Sequence, residues 1–158
     1  MKQQPIAFQD LYAEAFSHCY GCGRHNVDGH HLKSFWGETK AQTLAHITPA
    51  NIYTGGVPDH LYGGLIASLL DCHGTASAAA FVGEALGLPF DGSQPLPRCV
   101  TGSLNITFLK PTPVETELTV VGRLLAIEGR KVSVALSLWA GQTECARADM
   151  LAIQLLAA

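Results

Sequence analysis

The chain has 158 residues, 47% of hydrophobic type and 15% charged, with a formal charge of −3. That composition fits one domain with a real core and excludes a disordered or coiled-coil chain. The ten Lys and Arg are scattered, so there is no basic stripe to follow a nucleic-acid backbone, and nucleic acid is not an expected partner.

The first residues, MKQQPIAFQD, are polar and broken by Pro5, without the apolar run of an export signal. Ile6, Leu11, Ala15 and Phe16 recur at helical spacing, which predicts a short helix over 6–16. CYGCGRHNVDGHHL reads as a loop, and residues 1–37 are expected to form an N-terminal helix and Cys/His loop ahead of a main domain over 38–158. A weakly alternating strand follows from Glu38 to Thr48, then a turn-rich stretch. From Tyr62 to Leu86 there is no proline and alanines cluster, which predicts one long helix ended by Gly87 and Pro89. Asp71, His73 and Glu84 inside its apolar run argue for a soluble core helix and against a membrane span. Residues 87–97 are a Pro/Gly loop.

Beyond that loop the period becomes two: Leu104, Ile106 and Phe108, then Leu118 and Val120, then Val132, Val134, Leu136 and Leu138, then a last run over Thr143–Leu155. Glu128-Gly129-Arg130 and Ala140-Gly141-Gln142 are the hairpin connections. A strand, a long helix and four antiparallel strands give an α+β layer, with the helix lying on one face of the sheet. The small residues from Gly74 to Ala80 allow either close helix-on-sheet packing or room for a ligand. Five cysteines, Cys19, Cys22, Cys72, Cys99 and Cys145, cannot all pair; two lie in apolar segments as small hydrophobes, and with no export signal they point to a reducing cytoplasm.

Ser68, Asp71, Thr75 and Ala78 share one helix face, and Asp71 is its outlier. A carboxylate in so apolar a segment is paired, neutralised or kept for function. Gly63-Gly64 at the helix start are poor helix formers; there, unpaired N–H groups can be approached closely by a carbonyl oxygen, as in an oxyanion site, or the pair is an ordinary Gly-rich turn.

HLYGGLIASLLDCHG followed by TGSLNITFLKPTP resembles the hotdog-fold acyl-CoA thioesterases, in particular the branch of phenylacetate-pathway and mammalian enzymes. That branch carries His-Gly-Gly at the helix start, an Asp eight residues after the first Gly, and a Thr ten residues before the Pro that ends the next strand. Gly63, Gly64, Asp71 and Thr101 match, and the Cys-x-x-Cys-Gly of residues 19–23 is similar to the opening of many bacterial members; the resemblance spans about residues 19–156. It implies a hotdog fold of five to six antiparallel strands wrapped around one central helix, and hydrolysis of an acyl-CoA or other acyl thioester. Gly63 and Gly64 would polarise the carbonyl, Asp71 would act as general base or nucleophile, and Thr101 would position Asp71 or the water. No cofactor is implied beyond the CoA of the substrate, and no metal. The family histidine before the glycines is replaced by Tyr62, with His60 two residues earlier; a phenol can donate a hydrogen bond but is no base near neutral pH.

Gly63 and Asp71 stand about 12 Å apart along one helix, too far to address one carbonyl. Hotdog relatives complete the site as dimers, so a homodimer or a dimer of dimers is expected. Strand parity places Thr101 with Ser103, Asn105 and Thr107 on the polar face, away from Leu104 and Ile106. His18, Cys19, Cys22 and His25 have zinc-like spacing but lack a second ligand pair. His73, about 200° round the helix from Asp71, is expected to pack in the core. Two other readings of the same fold are an acyl-thioester hydratase or dehydratase, which would need a histidine paired with the acid, and a non-catalytic acyl-CoA binding module. Lys110, Arg123, Arg130 and Lys131 are the basic candidates for the CoA phosphates.

Overall fold

The proline-free stretch forms helix α1, Gly63–Ala85, in the computed structural model, which describes residues 4–156. Its C-terminus closes where glycine is needed: Gly87 adopts φ +69°, its N–H donates to the Glu84 carbonyl, and the Leu88 N–H donates to the Gly83 carbonyl. That pair of bonds satisfies two carbonyls the helix leaves open. Sixteen of the 23 helix residues are buried, as expected of a helix apolar on every side. By length and composition α1 could cross a membrane, yet 83% of its most apolar window is buried inside the protein.

What buries it is a six-stranded sheet of β1 (Ser34–Trp36), β2 (Gln42–Ile47), β3 (Cys99–Phe108), β4 (Leu118–Glu128), β5 (Lys131–Ala140) and β6 (Thr143–Gln154). The strands run in the order β1-β2-β4-β5-β6-β3, and every neighbouring pair is antiparallel. This is the expected α+β hotdog arrangement, a sheet wrapped around one long helix. Val132, Val134, Leu136 and Leu138 of β5 turn inward opposite Ala152, Met150, Ala148 and Ala146 of β6. The small helix residues serve close packing: a side chain at Gly74 would collide with Met150 and Leu136, and one at Gly122 of β4 with Thr43 and Ser77.

Two expectations are corrected near the N-terminus. Residues 6–16 form no α-helix but two single 3-10 turns, Phe8–Leu11 and Glu14–Phe16. Burial of Phe8, Leu11 and Tyr12 in the core outweighs the helical spacing, because a segment this short holds its shape by packing more than by its own hydrogen bonds. The second correction is β1, whose three residues are too few to show a period; pairing of Ser34 with Ala45 and Trp36 with Thr43 defines it.

His73 is fully buried, as its position predicts, and it is hydrogen-bonded at both ring nitrogens. Its Nδ1 meets the Ser34 hydroxyl at 2.8 Å and its Nε2 the Thr43 hydroxyl at 3.1 Å. Gln9 Nε2 donates to Ser34 Oγ, and Ser77 Oγ donates to the His73 carbonyl, so Thr43 can pass its proton to Ser77 and accept from Nε2–H. One neutral tautomer satisfies the whole chain. Burial, with a smaller contribution from His46, pushes the His73 pKa down to about 4. Unfolded, the imidazole takes a proton near pH 6.5, while the folded protein refuses it until about pH 4. Stability is therefore lost as pH falls through this window, by about 3 kcal/mol from this group. Urea unfolding from pH 7 to pH 4 is expected to show that loss in the native protein and not in His73→Gln; an identical pH dependence in the two proteins would contradict it.

Candidate active site

Helix α1 begins without a cap. Tyr62, the residue before it, is extended (φ −69°, ψ 147°) and makes no side-chain capping bond. The Leu65 and Ile66 N–H groups return to the Tyr62 carbonyl, which leaves the exposed Gly63 and Gly64 N–H groups with no partner among the described residues. A backbone ladder aims this end: the Leu61 N–H bonds the Thr112 carbonyl, the Tyr62 N–H the Tyr53 carbonyl, and the Gly55 N–H the His60 carbonyl. A Cβ at Gly64 would overlap the Tyr62 ring in its present position. Tyr62 therefore lies over the first turn. Gly63 faces the Phe108 ring and borders an open groove of about 350 Å³ with His60, Ile66, Phe108 and Lys110. His60 hydrogen-bonds through Nδ1 to the Pro58 carbonyl at 3.0 Å, which leaves Nε2 as the acceptor nitrogen.

Two turns on, Asp71 is half-buried, and the Thr101 hydroxyl donates to its Oδ1. Ser68 and Thr75 do not bond this carboxylate among the described residues; Thr75 donates to the backbone carbonyls of Asp71 and Cys72. Of the two partners expected for Thr101, Asp71 or a water, it is Asp71 that Thr101 bonds, but the geometry corrects the parity argument. The register slips between Thr101 and Ser103, with Thr101 opposite Ala152 and Ser103 opposite Leu151. Gly102 is the bulged residue, and a bulge reverses which face the strand presents. Thr101 consequently lies on the helix side with Leu104 and Ile106, where it can reach α1, while Ser103, Asn105 and Thr107 face out.

The site residues thus fall into two groups on one flank of the protein: Gly63, Gly64, Tyr62 and His60 at the helix start, and Asp71 with Thr101 along the helix. The eight-residue separation keeps the groups about 12 Å apart within one chain. Among the other candidates, the His18 and His25 rings stack on each other, centroids 5.4 Å apart. Cys19 and Cys22 gather with Cys72 of α1 instead. Sequence reasoning missed Cys72 because, inside an apolar helix, a thiol reads as a small hydrophobe.

A profile of the thioesterase superfamily matches residues 59–146, more than half of the chain and the span that holds His60, Tyr62, Gly63, Gly64, Asp71 and Thr101. The chain belongs to that superfamily. It is 42% identical to a thioesterase superfamily protein of Shewanella loihica, whose crystal structure covers 90% of this chain and 97% of its own with a TM-score of 0.67. The E. coli PaaI protein of the phenylacetic acid degradation operon shares the fold at 14% identity, TM-score 0.60, over 73% of this chain and 74% of its own. Mouse acyl-coenzyme A thioesterase THEM4 is 29% identical over 107 residues, 68% of this chain; the match spans 40% of the length of that relative.

Proposed function

We propose that the protein hydrolyses an acyl-CoA to the free acid and CoA, in a site shared between two subunits. The observation that carries this reading is the uncapped Gly63–Gly64 N–H pair and the Thr101-held carboxylate of Asp71 on one flank, each able to supply half of a thioester hydrolase. The thioester oxygen accepts from the Gly63 and Gly64 N–H groups, whose attraction grows as charge moves onto that oxygen. Asp71 takes the proton of an attacking water, and collapse of the adduct expels the CoA thiolate and leaves the free acid; or Asp71 attacks the carbonyl carbon itself, the thiolate leaves, and water then cleaves the mixed anhydride to the free acid and the Asp71 carboxylate. Tyr62 or His60 completes the carbonyl end, and Lys110, beside the groove, meets a CoA phosphate. No separate cofactor takes part, and five free thiols suit a cytoplasmic setting. Kinship to an acyl-CoA thioesterase favours the CoA ester among thioesters. A hydratase would pair its acid with histidine, whereas Asp71 is bonded by Thr101. An acyl-CoA panel followed with a thiol reagent tests the reading: steady release of CoA supports it, and binding without release, or addition of water with the thioester intact, overturns it.

The second subunit enters along β3, which has a sheet neighbour on one side only. A two-fold axis perpendicular to the sheet pairs two β3 edges antiparallel and keeps both helices on the same side. Gly63 lies by Phe108, and Asp71 by Thr101. With the Gly102 bulge absorbing one residue, an axis through Asn105 sets the partner's Phe108 opposite Thr101 and the partner's Gly63 beside Asp71. Asn105 is exposed on the outer face, so Asn105→Cys is expected to form a covalent dimer on mild oxidation while Ser103→Cys, off the axis, does not. A monomer by light scattering, or cross-linking at residue 103 alone, would contradict this arrangement.

A further inference from the structure

The Cys19-Tyr20-Gly21-Cys22-Gly23 turn is folded tightly and seated on α1. The Gly23 N–H donates to the Cys19 carbonyl at 2.7 Å, and a side chain at Gly23 would stand 2.6 Å from the Ser17 carbonyl oxygen. A Cβ at Gly21 would overlap the Cys72 sulfur, so glycine here lets the turn sit directly on that thiol. A Cys-x-x-Cys turn of this kind brings two sulfurs to one point.

We propose that Cys19, Cys22 and Cys72 form a three-thiolate site for a thiophilic closed-shell cation, zinc(II) or copper(I), that clips the 19–23 turn to α1. The three sulfurs lie within 4.8 Å of one another, and those of Cys19 and Cys72 are 3.8 Å apart. Sulfurs bound tetrahedrally at about 2.3 Å from zinc stand about 3.8 Å apart, so that pair is already at ligand spacing. The donor set is all sulfur, which suits zinc or copper(I) and not magnesium or calcium. Three thiolates suffice for copper(I), and zinc takes water as its fourth ligand. Binding replaces three S–H protons, which leave to solvent.

The test loads reduced, full-length protein anaerobically with zinc(II) or with copper(I), removes excess metal, and measures metal per chain. One equivalent of either ion is expected, and which ion is retained against a chelator identifies the source. Cys72→Ser and Cys22→Ser should weaken retention by at least about a hundredfold, since losing a ligand costs more than losing its hydrogen-bond partner, while Cys145→Ser retains it. Alkylation of the native protein, mapped by mass spectrometry, supplies a readout that needs no variant: metal should protect residues 19, 22 and 72 together. No stoichiometric binding of either ion, retention by Cys72→Ser, unprotected thiols, or a Cys19–Cys72 disulfide in place of metal would overturn the proposal.

Discussion

Asp71→Asn is expected to lower turnover of the best acyl-CoA substrate by at least about a hundredfold, the usual scale for losing a general base, while the protein stays folded. The amide oxygen of asparagine can accept the same Thr101 hydroxyl that Asp71 Oδ1 accepts, so the substitution removes basicity and nucleophilicity but not the hydrogen bond. Thr101→Val, which removes the bond and leaves the carboxylate, is expected to cost less, because it disturbs aim and not chemistry. Steady-state rates of thiol release, with circular dichroism as the folding control, decide the matter; an Asn variant as fast as the native protein would exclude Asp71 from the reaction.

Gly63→Pro is expected to cost turnover by about a hundred- to a thousandfold, the effect of deleting one oxyanion donor. Proline is tolerated at the first helical position because the N–H it lacks has no partner in the helix. Tyr62 already has the extended conformation that a following proline requires. A Cβ at Gly63 would rest 3.5 Å from the Phe108 ring, an ordinary contact, so Gly63→Ala, which keeps the N–H, should retain most of the activity. If Gly63→Pro and Gly63→Ala proved equally active, the backbone N–H would have no part in catalysis.

Much of this was legible in the sequence, for identifiable reasons. The long helix announced itself by length and by its missing prolines, and the strands after residue 97 by a period of two that a sheet with one buried face imposes. Asp71 stood out because a carboxylate is costly in an apolar helix. The parity of Thr101 was not legible: a single bulge at Gly102 reverses the face of a strand, and nothing in the local alternation reports it. Nor was the 6–16 segment, where tertiary burial of Phe8 and Leu11 replaces a regular helix. The gathering of Cys72 with Cys19 and Cys22 joins residues fifty or more positions apart, a proximity that only the packing of the N-terminal loop on α1 creates. The Ser34–His73–Thr43 chain is of the same kind; the sequence marks His73 as buried but does not name its partners.

The account turns on one site being completed by two chains, and purified heterodimers test that directly. One heterodimer pairs an Asp71→Asn chain with a Gly63→Pro chain; the other pairs an unaltered chain with a chain carrying both substitutions. In a site shared across a two-fold interface, the first retains one intact site of two, hence about half the native turnover, and the second retains none. Half the native turnover in the second heterodimer, with the first inactive, would place Gly63 and Asp71 of a single chain in one site and contradict the account.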